Sequence, residues 1–263
     1  MRTLISIVAI VTGLTPAPAV AEPSQEGSAD HTAGSQILKH EGTDAPRTGE
    51  SPPTAGKVPG MDVSSHQGDV DWREAWEDGA RFAYVKATEG THYRNPRFTQ
   101  QYDGSYRIGM IRGAYHFALP DRSGGAEQAS FFVGNGGGWS PDGRTLPPAL
   151  DLEYNPYGEV CYGMDQKTMT AWVKSFSDEV VARTGRHPTI YTSTTWWNRC
   201  VGGSVKFGDD HPLWIAHYSS KLGPLPAGFD FHTIWQWQAE GVFPGDQNLF
   251  NGAHPQLQRL AAS

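Results

Sequence analysis

The chain has 263 residues, long enough to bury a full hydrophobic core, and 11% of them are aromatic, including nine tryptophans. This composition excludes an intrinsically disordered protein. The formal charge of −7 argues against a nucleic-acid partner, for which a basic surface is expected.

The first 21 residues have the pattern of a secretory signal peptide. Arg2 supplies a positive charge, residues 4–14 form an apolar run, and residues 19–21 read Ala-Val-Ala, a typical cleavage site. The apolar run is too short to span a bilayer, and no later run approaches that length. We therefore expect a secreted, extracellular protein that begins at Glu22 and is not inserted in a membrane.

Residues 22–58 are rich in proline, serine, glycine and threonine, and Ile37 and Leu38 are the only large aliphatic residues before Val58. Such a segment buries too little apolar surface to offset the entropy that it loses on ordering. We interpret it as a disordered leader or a propeptide-like segment. A tether to a cell wall is an alternative that nothing in the sequence favours. Residues 59–263 then form the folded domain.

The two cysteines, Cys161 and Cys200, fit an exported protein, in which an even number of cysteines usually pairs. Neither has histidine or cysteine companions at the spacing of a metal site. We therefore expect a disulfide. Closing a loop of this length stabilises a fold by roughly 4 kcal/mol in the chain-entropy model.

From Gly60 onward, short runs of β-branched and aromatic residues alternate with helical stretches. This alternation predicts a parallel α/β sheet, and seven or more strands suggest closure into a barrel that resembles a TIM barrel. Little between Gly202 and Trp235 has helical periodicity, so we expect an irregular β/α barrel whose last strands are joined by few helices. The predicted strands cover residues 60–64, 82–87, 111–117, 148–154, 189–192, 213–217 and 233–238, and the predicted helices cover residues 72–78, 96–107, 126–133 and 166–183.

Two acids share one face of the strand predicted over residues 148–154. Side chains two residues apart in a strand project to the same side, so Asp151 and Glu153 face together. Their Cα atoms should lie roughly 6.5 Å apart, close enough for one carboxylate to raise the pKa of the other and to separate their roles into acid and anion. The alternative is a strand end with two solvated acids.

In a parallel barrel, the chemistry is located at the carboxyl ends of the strands. The predicted strand ends carry mainly acids and aromatic residues. This inventory fits glycoside hydrolysis, which uses a carboxyl pair beside aromatic side chains that stack on sugars. For the aromatic candidates the alternative is a place in the barrel core, and the strand-end position favours a sugar contact for Tyr115 and Tyr191. The candidates beyond the Asp151–Glu153 pair are Asp62, Glu89, Tyr115, Tyr191, Tyr218, Trp235 and Asp246.

Two other hydrolase chemistries fit the sequence less well. A metal-dependent deacetylase needs clustered histidines, whereas His66 and His116 lie on different strand ends. A serine nucleophile needs a G-x-S-x-G turn, which is absent. For His116 we expect a packed, hydrogen-bonded barrel histidine, and we expect neither a metal nor a cofactor.

Several motifs along the chain resemble glycoside hydrolase family 25, the secreted muramidases called Chalaropsis-type lysozymes. The resemblance extends over about residues 58–251, and the motifs come in the order typical of the family. They are GMDVSSHQGDVDW at residues 60–72, FAYVKATEG at 82–90, RGAYHFA at 112–118, PPALDLEY at 147–154, PTIYTS at 188–193, PLWIAHY at 212–218, IWQW at 234–237 and DQNLFNG at 246–252.

The resemblance implies five β/α units followed by antiparallel strands. It also implies hydrolysis of the β-1,4 bond between N-acetylmuramic acid and N-acetylglucosamine, so that the glycan strands of peptidoglycan would be the partner. The family roles fall on Glu153 as catalytic acid and on Asp151 as its partner, with Asp62 and Asp246 as further acids. Asp246 follows a Pro-Gly pair, whereas the family more often has a hydrophobic residue directly before this acid.

Two mechanisms are open for the second catalytic role. Either Asp151 orients the substrate's own N-acetyl group for attack on the sugar carbon, as the resemblance favours, or a carboxylate activates water for direct displacement. Two other functions are also open. One is a non-catalytic cell-wall or chitin-binding module on the same scaffold, and the other is a metal-dependent polysaccharide deacetylase, which a chelator would inhibit. We expect a monomer in each case.

Overall fold

The fold is described from a computed structural model, which covers residues 30–44 and 54–263. The predicted signal peptide lies outside these ranges. Within them, no helix combines the length and the apolar character needed to cross a membrane.

The folded domain contains nine strands and six of the seven helices found in the described ranges. The strands are β1 (Val58–Val63), β2 (Phe82–Glu89), β3 (Tyr93–Arg94), β4 (Ile111–Phe117), β5 (Ala149–Asp151), β6 (Thr189–Ser193), β7 (Leu213–Ala216), β8 (Ile234–Gln238) and β9 (Asp246–Phe250). The helices are α1 (Ser35–Glu41), which precedes the domain, then α2 (Trp72–Glu77), α3 (Phe98–Ile108), α4 (Gly125–Gly134), α5 (Gln166–Thr184), α6 (Thr194–Cys200) and α7 (His254–Ala262).

Eight strands close into a barrel. Neighbouring strands pair in the order β1, β2, β4, β5, β6, β7, β8 and β9, and β9 closes the circle on β1. All neighbours from β1 to β8 are parallel, and β9 is antiparallel to both β8 and β1. The short β3 pairs with the end of β2, outside the barrel order. The carboxyl ends of seven parallel strands therefore meet at one end of the barrel.

The helices confirm the predicted irregular β/α barrel. One helix, from α2 to α6, follows each of the first five parallel barrel strands, and the described residues hold no α-helix between β7 and β9. Within the barrel, antiparallel pairing is limited to β9, because β7 and β8 remain parallel. The best-predicted helix is α5, where the side chain of Asp165 accepts a hydrogen bond from the Thr168 amide at 2.7 Å and Gly185 ends the helix at φ 72°.

Two strands differ from the prediction. β5 ends at Asp151, three residues earlier than expected, because its pairing with both neighbouring strands stops there. β9 was not among the predicted strands, since its first three residues are polar. These residues are nevertheless buried, because Asn248 donates to Asp62 and Gln247 donates to the carbonyls of Phe243 and Gly245.

The predicted disulfide is confirmed. Cys161 and Cys200 are bonded, with their Cα atoms 5.3 Å apart. The bond joins the loop that follows β5 to the last residue of α6, so it fixes that loop to the helix that follows β6.

Residues 22–58 were interpreted as a disordered leader or a propeptide-like segment. The structure of residues 30–44, which we call the N-terminal segment, argues against disorder in this part. The segment forms a turn and the helix α1, and Ala33 and Ile37 are buried. Disorder therefore does not describe this part, because its few apolar side chains and its backbone amides find partners on the barrel rather than within the segment. That the segment is propeptide-like stays a prediction.

Candidate functional site

The Asp151–Glu153 pair lies at the carboxyl end of the barrel. Asp151 is the last residue of β5, aligned with Tyr191 of β6, and Glu153 follows two residues later. Both acids are fully buried. Their charges interact, and Asp62, Lys86 and Glu89 contribute to the field at Asp151.

Asp151 has no hydrogen-bond partner for either carboxyl oxygen in the described part of the chain. Burial raises the pKa of Asp151 well above its ordinary value, and the neighbouring Glu153 charge raises it further. Both causes favour the protonated form of Asp151 relative to an exposed aspartate.

Glu153 has a different environment, because the N-terminal segment covers it. The Gly34 amide donates to its Oε1 at 2.7 Å, and the amides of Gln36 and Ile37 donate to its Oε2 at 2.8 and 2.9 Å. Burial raises the pKa of Glu153 to about 8, and these three N–H donors oppose the rise because they favour the anion. Both oxygens of the predicted acid are thus occupied by backbone amides.

Asp62 and Asp246 form a second carboxyl pair, opposite each other in the β1–β9 register. Oδ2 of Asp62 accepts hydrogen bonds from the side-chain amides of Gln236 at 2.9 Å and Asn248 at 2.6 Å. Burial raises the pKa of Asp62 to about 7 although these hydrogen bonds lower it. Burial and the neighbouring Asp62 raise the pKa of Asp246 well above its ordinary value. The Pro-Gly turn before Asp246 therefore does not displace it from the site.

Three of the predicted tyrosines line the same end of the barrel. The hydroxyl groups of Tyr191 and Tyr218 donate to Oε1 of Gln236 at 2.7 and 2.8 Å. The Tyr115 hydroxyl accepts a hydrogen bond from the amide of Ala33 in the N-terminal segment at 3.3 Å. Gln236 links Tyr191 and Tyr218 to Asp62, so these two tyrosines and the second carboxyl pair form one polar network.

Glu89 belongs to a buried ion pair at the edge of the site. Its Oε2 lies 2.6 Å from the ammonium of Lys86, and its Oε1 accepts a hydrogen bond from the Tyr157 hydroxyl at 3.2 Å. Burial works to raise the pKa of Glu89, but Lys86 and His31 outweigh it and the pKa lies below its ordinary value. Glu89 is therefore an anion and not a second proton donor.

Trp235 is the predicted site residue that the structure does not bring to this cluster. Gln236 faces the barrel interior, so the preceding residue projects to the opposite side of β8. The indole N–H of Trp235 donates to the carbonyl of His217 at 2.8 Å, and its ring packs in the core beside Lys57. The assignment of Trp235 to sugar binding is therefore corrected. In β8 the side chain that faces the site is that of the next residue, Gln236.

Three side chains of the network were not among the predicted site residues. Lys86, Gln236 and Asn248 each lie at or near a strand end, and each contacts a predicted acid. Sequence signals existed for all three, since a lysine or an amide inside an apolar strand motif has to find a buried partner.

His116 has the packed environment expected of a barrel histidine. It is buried and its two ring nitrogens lie 2.8 Å from the Thr88 hydroxyl and 3.0 Å from Oε1 of Gln128. Burial lowers its pKa to about 4, so the ring is neutral. Over the described ranges, no three or more His, Cys, Asp and Glu residues are grouped so that they could hold a metal ion.

Comparison with known proteins identifies the family of this chain. The model of glycosyl hydrolases family 25 matches residues 61–246. An N,O-diacetylmuramidase of Arthroderma benhamiae is 48% identical over 207 residues, which are 79% of this chain and 88% of the relative. Lysozyme M1 of Streptomyces globisporus is 45% identical over 209 residues, covering 78% of this chain and 71% of the relative.

A solved structure gives the same result. The muramidase from Acremonium alcalophilum superposes with a TM-score of 0.76 at 49% identity, and the match covers 78% of this chain and 99% of that chain. The family match includes all four predicted acids, Asp62, Asp151, Glu153 and Asp246. The chain therefore belongs to glycoside hydrolase family 25.

Proposed function

We propose that the chain is a muramidase that hydrolyses the β-1,4 bond between N-acetylmuramic acid and N-acetylglucosamine in peptidoglycan. The observation that carries the proposal is the buried Asp151–Glu153 pair, placed at the carboxyl end of the barrel among tyrosines. The names of the relatives, N,O-diacetylmuramidase and lysozyme, support the same substrate class.

In this proposal Glu153 is the general acid. It donates its proton to the glycosidic oxygen while the bond from the sugar C1 to that oxygen breaks. A pKa raised by burial supports this role, because the group then keeps its proton near neutrality. After the alcohol departs, water attacks C1 as the bond between C1 and the acetyl oxygen breaks, and the Glu153 carboxylate accepts the proton from that water.

Asp151 assists the substrate's own nucleophile. The carbonyl oxygen of the N-acetyl group attacks C1 as the bond to the leaving oxygen breaks, and Asp151 accepts a hydrogen bond from the amide N–H. The unpartnered carboxyl oxygens of Asp151 support this role, since they are available to a substrate group. Direct attack by a water molecule that a carboxylate activates is the alternative mechanism.

The remaining predicted residues position the sugar. Asp62 and Asp246 form the floor with Gln236, and Tyr115, Tyr191 and Tyr218 present hydroxyl groups and ring faces to the glycan. Glu89 holds Lys86 at the edge of the cleft. We infer that the protein acts outside the cell after removal of residues 1–21 and that it works as a monomer, which size-exclusion chromatography can test.

A single substitution tests the acid assignment. Glu153→Gln keeps the size of the side chain but removes the proton donor, so we expect turnover to fall by about 10²-fold or more. The assay measures new reducing ends from purified peptidoglycan. Glu159→Gln is the matched control, because Glu159 is exposed in a turn and should keep full activity.

Two further measurements separate the alternative functions. Reducing ends that form equally well with a chelator support the muramidase, whereas acetate release that the chelator abolishes would indicate a deacetylase. Binding to peptidoglycan without reducing ends in every variant would indicate a non-catalytic module. Near-normal turnover in Glu153→Gln would remove Glu153 from the mechanism.

A further inference from the structure

The N-terminal segment occupies the place that a substrate needs. It donates three backbone N–H groups to the two oxygens of Glu153, at 2.7 to 2.9 Å. Two of these donors belong to the first turn of α1, whose amides have no partner inside the helix. The N–H donors of the segment and the carboxyl oxygens of the catalytic acid are thus paired with each other. No space remains between them for a glycosidic oxygen.

The segment is anchored at its start by charged groups. Oδ1 of Asp30 lies 2.6 Å from the Lys86 ammonium, and its Oδ2 accepts a hydrogen bond from the Ser65 amide at 3.1 Å. Next to it, the His31 amide and ring donate to Glu89 at 3.1 and 3.0 Å, and the His31 carbonyl accepts from Lys86 at 2.6 Å. This end of the segment therefore closes one side of the cleft.

The other end of the segment closes the opposite side. The ring of His40 stacks on that of Tyr154 with centroids 4.2 Å apart, and the Tyr154 hydroxyl donates to Glu41 at 3.0 Å. The hydroxyl of Ser193, the residue that ends β6, also donates to Glu41. Beyond the helix, the Asp44 amide donates to the carbonyl of Tyr218 at 2.9 Å. The contacts span strand ends from β1 to β8.

The fit in the middle leaves no free volume. A Cβ atom added to Gly34 would lie 1.7 Å from the Tyr218 hydroxyl and 2.6 Å from the Tyr191 hydroxyl. Gly34 also has φ +87°, which favours glycine. Ile37 is 1% exposed although it belongs to a helix of only seven residues. The sequence of the segment is therefore matched to this cleft in shape as well as in hydrogen bonding.

We propose that the N-terminal segment is an autoinhibitor that holds the enzyme inactive until the segment is withdrawn from the cleft. The proposal rests on the proposed function, because it assigns the regulation of that same site. The segment excludes the glycan sterically and occupies the hydrogen-bonding positions of the general acid. Both effects end when residues 34–37 leave the cleft, because their amides are the three donors to Glu153.

Covalent connection to the domain makes the inhibition effective. A segment tethered by a short stretch of chain has an effective concentration on the order of millimolar at its binding site. The glycan therefore has to compete with the tethered N-terminal segment for the cleft. Loosening the segment in its buried centre should therefore raise activity, whereas changing its exposed side should not.

The experiment compares variants of the chain from Glu22 to Ser263. Ile37→Asn removes an apolar side chain that is buried against the barrel, and Lys39→Asn places the same residue at an exposed position of the same helix. Gly34→Val is a second route to release, because its side chain cannot fit beneath Tyr218. Two readouts are taken: reducing ends from purified peptidoglycan, and hydrogen exchange of the amides of Gly34, Gln36 and Ile37.

We expect Ile37→Asn and Gly34→Val to lose exchange protection and to gain activity by about ten-fold or more. Lys39→Asn should match the unsubstituted chain in both readouts. Loss of protection with reducing ends that form only as fast as in the unsubstituted chain would overturn autoinhibition and leave the muramidase proposal standing. Protection retained in both Ile37→Asn and Gly34→Val would also overturn it, and absence of reducing ends in every released variant would overturn both proposals.

Discussion

At the scale of single residues, the two acids of the catalytic pair differ in their hydrogen-bond partners. Glu153 receives three N–H donors from the N-terminal segment, whereas Asp151 receives none from the described residues. The proton of the pair is therefore favoured on Asp151 while the segment is docked. Withdrawal of the segment removes the three donors and leaves both oxygens of Glu153 open to a glycosidic oxygen.

Asp151→Asn tests the role of the partner acid. The substitution removes the group that accepts the N-acetyl N–H, so we expect turnover on peptidoglycan to fall by about 10²-fold or more. Because the Asp151 carboxyl has no hydrogen-bond partner to lose, the thermal stability should be unchanged or higher.

The control for this variant is Asp178→Asn, on the exposed surface of α5 in an ion pair with Lys174. It should keep normal turnover and stability. Normal turnover in Asp151→Asn would leave the N-acetyl group without a protein partner and would favour attack by water instead.

A site residue can be predicted from the sequence when its residue type has few other roles at that position. Two acids at i and i+2 before a loop are unusual in an apolar strand, so the sequence pointed to Asp151 and Glu153. An amide such as Gln236 gives a weaker signal, because its place in an apolar strand shows that it needs a buried partner but not that the partner is a catalytic acid. The misplaced Trp235 shows that a single-residue phase error in a strand exchanges a site residue for a core residue.

At the scale of elements, the predicted strands were those with continuous apolar runs. Buried parallel strands have this pattern because both of their faces are covered. β9 lacks it, since Asp246, Gln247 and Asn248 are buried by polar contacts at the site and not by the core. The helix α1 was also not predictable, because the partners of its first amides lie on Glu153, more than a hundred residues away along the chain.

The packing of α4 on α5 gives an element-scale prediction. A Cβ atom added to Gly125 would lie 2.3 Å from the Trp172 carbonyl oxygen and 2.7 Å from the Phe176 nitrogen. Neither is the end of a flexible side chain, so Gly125→Ala should force the helices apart and lower the unfolding free energy by about 1–3 kcal/mol. In a domain of this size, Tm should fall by roughly 2–4 °C for each kcal/mol.

The same helix provides the control. Gly134 ends α4, and a Cβ atom there would meet nothing within 4 Å. Gly134→Ala should therefore be neutral or slightly stabilising in the same thermal unfolding experiment. Equal effects of the two substitutions would show that close helix contact does not constrain position 125.

At the scale of the whole molecule, the site makes stability depend on pH. Burial raises the pKa of Asp62 to about 7 and that of Glu153 to about 8, so the native chain holds protons that the unfolded chain has released. The carboxyl contribution to stability therefore falls as pH rises. Burial lowers the pKa values of His116, His211 and His232 to about 4, which gives the opposite slope, but only up to about pH 6.5, where the unfolded histidines become neutral.

Between pH 6.5 and about 8 only the carboxyls contribute, so we expect the unfolding free energy to decrease with pH in this window. Asp62→Asn removes one of the titrating groups, and the slope should shrink by up to about 1.4 kcal/mol per pH unit. Urea unfolding at several pH values in the window measures the slope. Asp69→Asn is the control, because Asp69 is exposed beside Arg97 and should leave the slope unchanged. The same slope in Asp62→Asn and the unsubstituted chain would mean that Asp62 is already ionised throughout the window and that its proton is held elsewhere in the carboxyl network.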